Sequence, residues 1–200
     1  MKSAFRVITL SSLAFCTAAV SASDNCIDVT GEINNNAVNV VYPNEAVATF
    51  PQFFFYTMGV ADVKVTLPDL NKPKKLNCTL LGEPTGAGII PDAPAYQYEH
   101  LLVCNDVDQS EIAFQTYQTA EMPSEDVIED TCYSDPSTGL SIPFVENAVV
   151  NTGRRQKGLF YNVNGSAKIE GCVNIVDQVN GVPIFEINMA VVDTNICYAD

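Results

Sequence analysis

After residue 23, no stretch of this chain sustains a helical period. Its apolar residues fall instead in short runs of Val, Ile, Phe, Tyr and Thr, cut by Asn, Gly, Pro and Asp. That is how strands joined by turns read. Strands are expected near 27–33, 36–42, 47–57, 60–67, 75–81, 96–104, 111–118, 158–163, 166–176 and 182–192. Side chains alternate within them. Ala167, Ile169, Gly171, Val173 and Ile175 share one face, against Lys168, Glu170, Cys172 and Asn174; Phe185, Ile187, Met189 and Val191 oppose Glu186 and Asn188. One buried face and one wet face suit an antiparallel sheet. The expected class is all-β: an antiparallel sandwich or a closed barrel of about eight to ten strands.

Turn signals set the expected connections. Asn164-Gly165 predicts a type I′ hairpin turn, which needs positive φ at both central residues. Asn180-Gly181 repeats the device, so the C-terminal part reads as a three-strand meander; Asn35-Asn36 is the candidate for the first hairpin. Residues 119–157 read differently, as an irregular acidic excursion in which "EMPSEDVIED" either forms one helical turn capped by Ser124 or stays a loop. Residues 23–200 are expected to form a single domain, large enough for one core.

The N-terminus predicts export. Lys2 and Arg6 precede the apolar run 7–20, and the small residues Ser21, Ala22 and Ser23 follow it. This is the layout of a secretory signal peptide, residues 1–22, with cleavage after Ala22. The run is shorter than the roughly 20 apolar residues that span a bilayer. Cys16 raises a lipoprotein reading, but Phe15 stands before it where a small residue is wanted. The expected location is secreted, or periplasmic in a bacterium, with no membrane insertion after removal of the leader.

Of seven cysteines, Cys16 lies in the leader; Cys26, Cys78, Cys104, Cys132, Cys172 and Cys197 remain. An even number in an exported chain argues for a disulfide framework, and the lack of any CxxC argues against zinc or redox use. Cys78 and Cys104 lie in two strand-like runs joined by a Gly/Pro-rich link, which adjacent antiparallel strands would bring together. Cys26 with Cys197 would tie the chain ends and leave Cys132 with Cys172; other connectivities are equally open to the sequence.

Charge and side-chain inventory narrow the chemistry. The chain carries 24 acidic and 10 basic residues, a formal net charge of −14, and losing Lys2 and Arg6 makes it more acidic. Such a surface repels nucleic acid phosphates and anionic membranes. The single histidine, His100, would have to serve any Ser-His-Asp site. It lies in "YQYEHLLVC", where alternation points it away from Glu99; a strand histidine with a hydrogen-bond partner is the plainer reading. No metal site and no cofactor is expected. Asp106 and Asp108 have calcium-like spacing, but Glu111 and Tyr117 stand where an EF-hand loop needs Gly and Glu. Glu121, Glu125, Asp126, Glu129 and Asp130 read as a solvated acidic face.

Two segments are candidates for a ligand or an interface. "TGRRQKG" gathers Arg154, Arg155 and Lys157, suited to a carboxylate, a sulfate or a partner's acid, or simply to offsetting nearby acids. "FPQFFFYTMGV" places Phe53, Phe55 and Thr57 on one face and Phe54, Tyr56 and Met58 on the other. Aromatics on both faces imply a central strand, one covered by the acidic excursion, or one lining a cavity or interface. Asn77-Cys78-Thr79 and Asn164-Gly165-Ser166 match the N-glycosylation pattern.

Residues 153–192 carry a family resemblance. "GRRQKGLFYNVNGSAKIEG", through Gly158, Phe160 and Gly165, and "VPIFEINMAVV", through Glu186 and Asn188 around Ile187, resemble the closing strands of the dirigent and allene-oxide-cyclase-like barrels. The family's first Gly is replaced here by Gln156 or displaced to Gly153. The resemblance implies an eight-stranded antiparallel barrel holding a small apolar molecule. Dirigent members are secreted, trimeric and steer radical coupling, whereas cyclase members isomerise an oxylipin. It implies no catalytic residue at any matched position. The sequence therefore reads as a secreted, non-catalytic binding or surface-interaction module with a small apolar ligand or a protein partner. The alternatives are a barrel enzyme acting on a small apolar substrate with carboxylates and Tyr, and a secreted inhibitor or effector working through 119–157.

Overall fold

The computed structural model describes residues 25–39, 55–68, 72–90, 93–133, 141–179 and 182–199. Among them are nine strands and one helix: β1 Cys26–Asn39, β2 Phe55–Thr66, β3 Lys74–Ile90, β4 Ala93–Cys104, β5 Glu111–Gln118, α1 Glu125–Thr131, β6 Ser141–Val150, β7 Gln156–Lys157, β8 Val163–Val179 and β9 Val182–Tyr198. The leader assigned to 1–22 and residue Phe53 lie outside the described residues.

Each strand pairs antiparallel with the next, β1 through β6, then β8 and β9; β4 also pairs with β5, and β9 returns to β1. The result is a closed, eight-stranded up-and-down barrel. Closure removes the exposed edges that an open sheet would present. The two-residue β7 is the extra strand, lying along the start of β5. An eight-stranded barrel can hold one small ligand, or its own side chains can fill it. Here Ile27, Val63, Leu80, Leu102, Ile112 and Met189 do so, each almost fully buried. Burying each such side chain stabilises the fold by roughly 1.5–3 kcal/mol relative to its exposed state. A 3-10 turn, Gly158–Phe160, brings Phe160 into the same core as Ile27, Ile112 and Ile196, at one end of the barrel. Leu159 is tied there by its N–H to Ser110 Oγ at 2.9 Å and by its carbonyl, which accepts from Tyr198 O–H at 3.0 Å.

Three cysteine pairs stand at disulfide distance, and they are the three the sequence suggested: Cys26–Cys197, Cys78–Cys104 and Cys132–Cys172. The first joins directly opposed residues of β1 and β9, where the first and last described strands close the barrel. The second joins opposed residues of β3 and β4 in the core. The third fastens the end of α1 to the outer face of β8. Alternation in β8 and β9 places the apolar set inside, as expected.

Several local expectations are overturned. Asn164-Gly165 is not a turn: both residues lie in β8, opposite Cys197 and Ile196 of β9. The long-range pairing wins because it buries Val163 at the barrel end. Gly165, at φ +122, is needed there for close approach, since a Cβ would overlap the carbonyl oxygen of Asn195. The expected strand at 158–163 is replaced by the 3-10 turn and the start of β8, so the meander is the single β8–β9 hairpin, paired through Val179 and Val182. Asn35-Asn36 also lies within a strand, opposite Gly59 and Met58.

The expected irregular excursion 119–157 is irregular only in part. Its residues 141–150 form β6, a full barrel strand between β5 and β8, and Gln156–Lys157 form β7. Pro143 and the short apolar run hid an alternating strand whose Phe144, Ala148 and Val150 are buried. Of the two readings of the acidic segment the helical one holds, as α1, but Ser124 makes no side-chain cap; its N–H donates to Glu170 Oε2 at 2.8 Å instead. α1 packs over β8 and β9.

Candidate functional site

Register across β2, β3, β4 and β5 assembles the first site. Met58 lies opposite Leu81, Leu81 opposite Leu101, and Leu101 opposite Ala113. Neighbours in register share a face. The adjacent positions Thr57, Gly82, His100 and Ile112 point inward and are buried, so this row lies on the outer wall. Met58 is 57% exposed and Leu81 42%. These residues floor a groove of about 550 Å³ whose sides include Glu83, Glu99, Arg154 and Arg155.

Both candidate segments thus reach one place. Arg154 Nε lies 3.3 Å from Glu99 Oε1, and Arg155 Nη1 lies 3.7 Å from Glu111 Oε2. The Arg154 and Arg155 side chains remain 61% and 79% exposed, so each keeps donors for a further acceptor. Apart from Arg6, they are the chain's only arginines. Lys157 turns to Gln109, its Nζ donating to Oε1 at 3.2 Å, and does not line the groove. Phe55 and Tyr56 open β2, just ahead of Thr57 and Met58.

A second polar feature crosses the barrel interior. His100 of β4 is buried, with Nδ1 3.2 Å from Thr116 Oγ1 of β5. Its ring stacks on Tyr98 with centroids 5.8 Å apart. Burial lowers the His100 pKa to about 4, so the ring is neutral near pH 7. Glu146 of β6 is half-buried within reach of the same Thr116 hydroxyl; burial raises its pKa to about 7, although that hydrogen bond pulls it down. Thr57 Oγ1 is buried without a hydrogen-bond partner among the described residues. Gly82 makes room for it: a Cβ there would overlap Thr57 Oγ1 and stand 2.7 Å from His100 Nε2. The adjoining cavity, about 50 Å³, is bounded by His100, Thr116, Leu102, Phe114 and Ile169 among others. It has room for water, not for a drug-sized ligand.

His100 therefore has the hydrogen-bond partner of the plainer reading and points away from Glu99, which faces the outer groove. Asp106 is spent on architecture. Its Oδ1 accepts from the Ser110 N–H at 2.6 Å, and its Oδ2 from Ser110 O–H at 2.8 Å and Lys74 Nζ at 3.3 Å. Burial pushes this carboxyl up, but the Ser110 and Lys74 bonds outweigh it and hold it below the ordinary value. Asn77 is exposed on β3 with its amide donating to Asp62 Oδ1 at 2.5 Å, and Asn164 is exposed on β8. Among the described residues, no three of His, Cys, Asp and Glu cluster to hold a metal ion.

Sequence reasoning missed Thr116, Glu146, Leu81, Leu101 and Ala113 as site residues. Each is an ordinary strand residue, and only the cross-strand register aligns them. No protein-family model, curated protein or solved structure matches the chain.

Proposed function

We propose that this chain is a secreted, non-catalytic binding module and that its site is the outer-wall groove over β2–β5. The observation that carries the reading is the row Met58, Leu81, Leu101 and Ala113, aligned across four strands and ending at Arg154 and Arg155. An aligned apolar row, exposed at Met58 and Leu81 and lying beside the mature chain's only guanidiniums, suits an organic anion with an apolar body and a carboxylate or sulfonate head. The groove's volume lies in the range of small-molecule sites. The leader-like N-terminus and the paired cysteines support an oxidising, extracytoplasmic setting.

The test uses 1-anilinonaphthalene-8-sulfonate, an apolar body with an anionic head, against its neutral relative N-phenyl-1-naphthylamine. The sulfonate is expected to bind the native protein more tightly. Arg154→Ala with Arg155→Ala should weaken it about tenfold, and Met58→Glu should abolish it. Equal binding by wild type and both variants overturns the reading. So does a Met58→Glu effect confined to self-association in sedimentation.

The enzyme reading draws on one observation, the interior His100, Thr116 and Glu146 set. The 50 Å³ cavity beside it favours the binding reading. The inhibitor or effector reading needs 119–157 to project, and the described parts instead form α1, packed on β8 and β9, and barrel strand β6.

A further inference from the structure

A different cleft, of about 490 Å³, lies between α1 and the outer wall of β1 and β9. Carboxylates from three elements line it: Glu32 of β1, Asp130 of α1 and Glu186 of β9. None of the ion pairs among the described residues involves any of the three; Lys168, near the helix, is bound to Glu121 and Glu170. Tyr133 O–H donates to Glu186. That leaves the cleft rich in acceptors, with no Lys or Arg among the described residues that line it.

Asn188 is an independent pointer. Its neighbours Ile187 and Met189 belong to the barrel core, so alternation sends the Asn188 side chain to the outer face, where it lines this cleft. The residue is only 8% exposed, and its Oδ1 has no hydrogen-bond partner among the described residues. Leaving such an oxygen buried and unpaired costs roughly 1–3 kcal/mol. A bound donor would remove that cost.

The three carboxylates stand too far apart to hold a bare metal ion together. No three of the cleft's ligand-type side chains come together as a metal site would require, among the described residues. A guanidinium presents five N–H donors in a flat fork and can reach several separated acceptors at once. Val127 and Ala190 offer apolar wall for an alkyl stem. We propose that this cleft binds an alkylguanidinium group, with the head among Glu32, Asp130, Glu186 and Asn188 and the stem along Val127 and Ala190. The group's source is either a free small molecule or an arginine side chain.

NMR titration of the full chain tests this with agmatine, with N-acetyl-Gly-Arg-Gly-amide and with n-butylurea as the neutral control. Agmatine or the peptide is expected to shift resonances of α1 and β9, whichever binds more tightly naming the source, while n-butylurea does not. Asp130→Asn with Glu186→Gln should weaken binding about tenfold, and Asp130→Asn alone should weaken it in part without disturbing the Tyr133 bond. Asp193→Asn, on exposed β9 surface, should leave it unchanged. Absence of binding, equal binding of n-butylurea, or displacement by calcium chloride beyond that of sodium chloride at the same ionic strength overturns the proposal.

Discussion

The Thr116 hydroxyl stands between two titratable groups inside the barrel, 3.2 Å from His100 Nδ1 and within hydrogen-bonding reach of Glu146. A hydroxyl has one proton to donate. With Glu146 ionised, Thr116 donates to it and His100 must carry its proton on Nδ1. With Glu146 protonated, the order reverses and Nε2 becomes the donor. The charge on one side chain thus selects the tautomer of the other.

The two groups have opposite pH linkage. His100 is lowered to about 4, so its contribution to stability is complete above its ordinary value of 6.5 and is lost as pH falls towards 4. Glu146 is raised to about 7, so its contribution is complete below its ordinary 4.5 and is lost as pH rises through 7. Between those ordinary values the slopes cancel in the wild type. Glu146→Gln should unmask a loss of stability on acidification, on the order of 1 kcal/mol per pH unit. His100→Gln should unmask the opposite slope. Urea unfolding at several pH values reads both, and parallel profiles for the two variants would refute the assignment.

Gly82 is held small by its neighbours. Gly82→Ala should destabilise by about 1–3 kcal/mol, because its methyl group must displace Thr57 or the His100 ring. Thr57→Ala removes a buried hydroxyl with no partner and should cost little. The double variant should recover much of the loss, and urea midpoints across this cycle test the coupling.

The cysteine pairs should differ in reach. Cys26–Cys197 closes 171 residues, so replacing both with alanine should cost about 2–5 kcal/mol of global stability. Cys132–Cys172 fastens a helix to the outside of the barrel. Its removal should raise amide exchange in α1 while barrel strands stay protected. Uniform loss of protection would contradict that division.

Asp106 organises the β4–β5 connection. Its side chain is 4% exposed and receives both Ser110 donors and Lys74. Asp106→Asn should cost about 2 kcal/mol near neutral pH. A lowered pKa makes its stabilising contribution present above the ordinary 3.8 and lost below it, so wild type and variant should converge in acid. A gap unchanged down to low pH would show that charge is not the cause.

Much of the architecture was legible because strand alternation is local. In β8 and β9, the apolar set from Ala167 to Ile175 and from Phe185 to Val191 could be read from neighbours two positions apart. The Cys78–Cys104 pair was legible for a related reason, since the two flank one hairpin, whereas Cys26–Cys197 and Cys132–Cys172 needed the closure of β1 on β9 and the packing of α1 on β8. The Asn164-Gly165 hairpin misled because a turn preference of that kind is outweighed by burying Val163 and pairing with β9. Strand β6 escaped for want of partners. Its alternation is short, and only β5 and β8 give it a register.

By itself, then, the sequence determined an antiparallel, cysteine-paired, strongly acidic β domain with one histidine and few reactive groups. Only the tertiary structure decided that the sheet closes, that Met58, Leu81, Leu101 and Ala113 form one row, and that Thr116 joins His100 to Glu146. The physical reason is distance along the chain. Alternation and composition act over a few residues, whereas register between strands tens of residues apart is set by packing the whole interior at once.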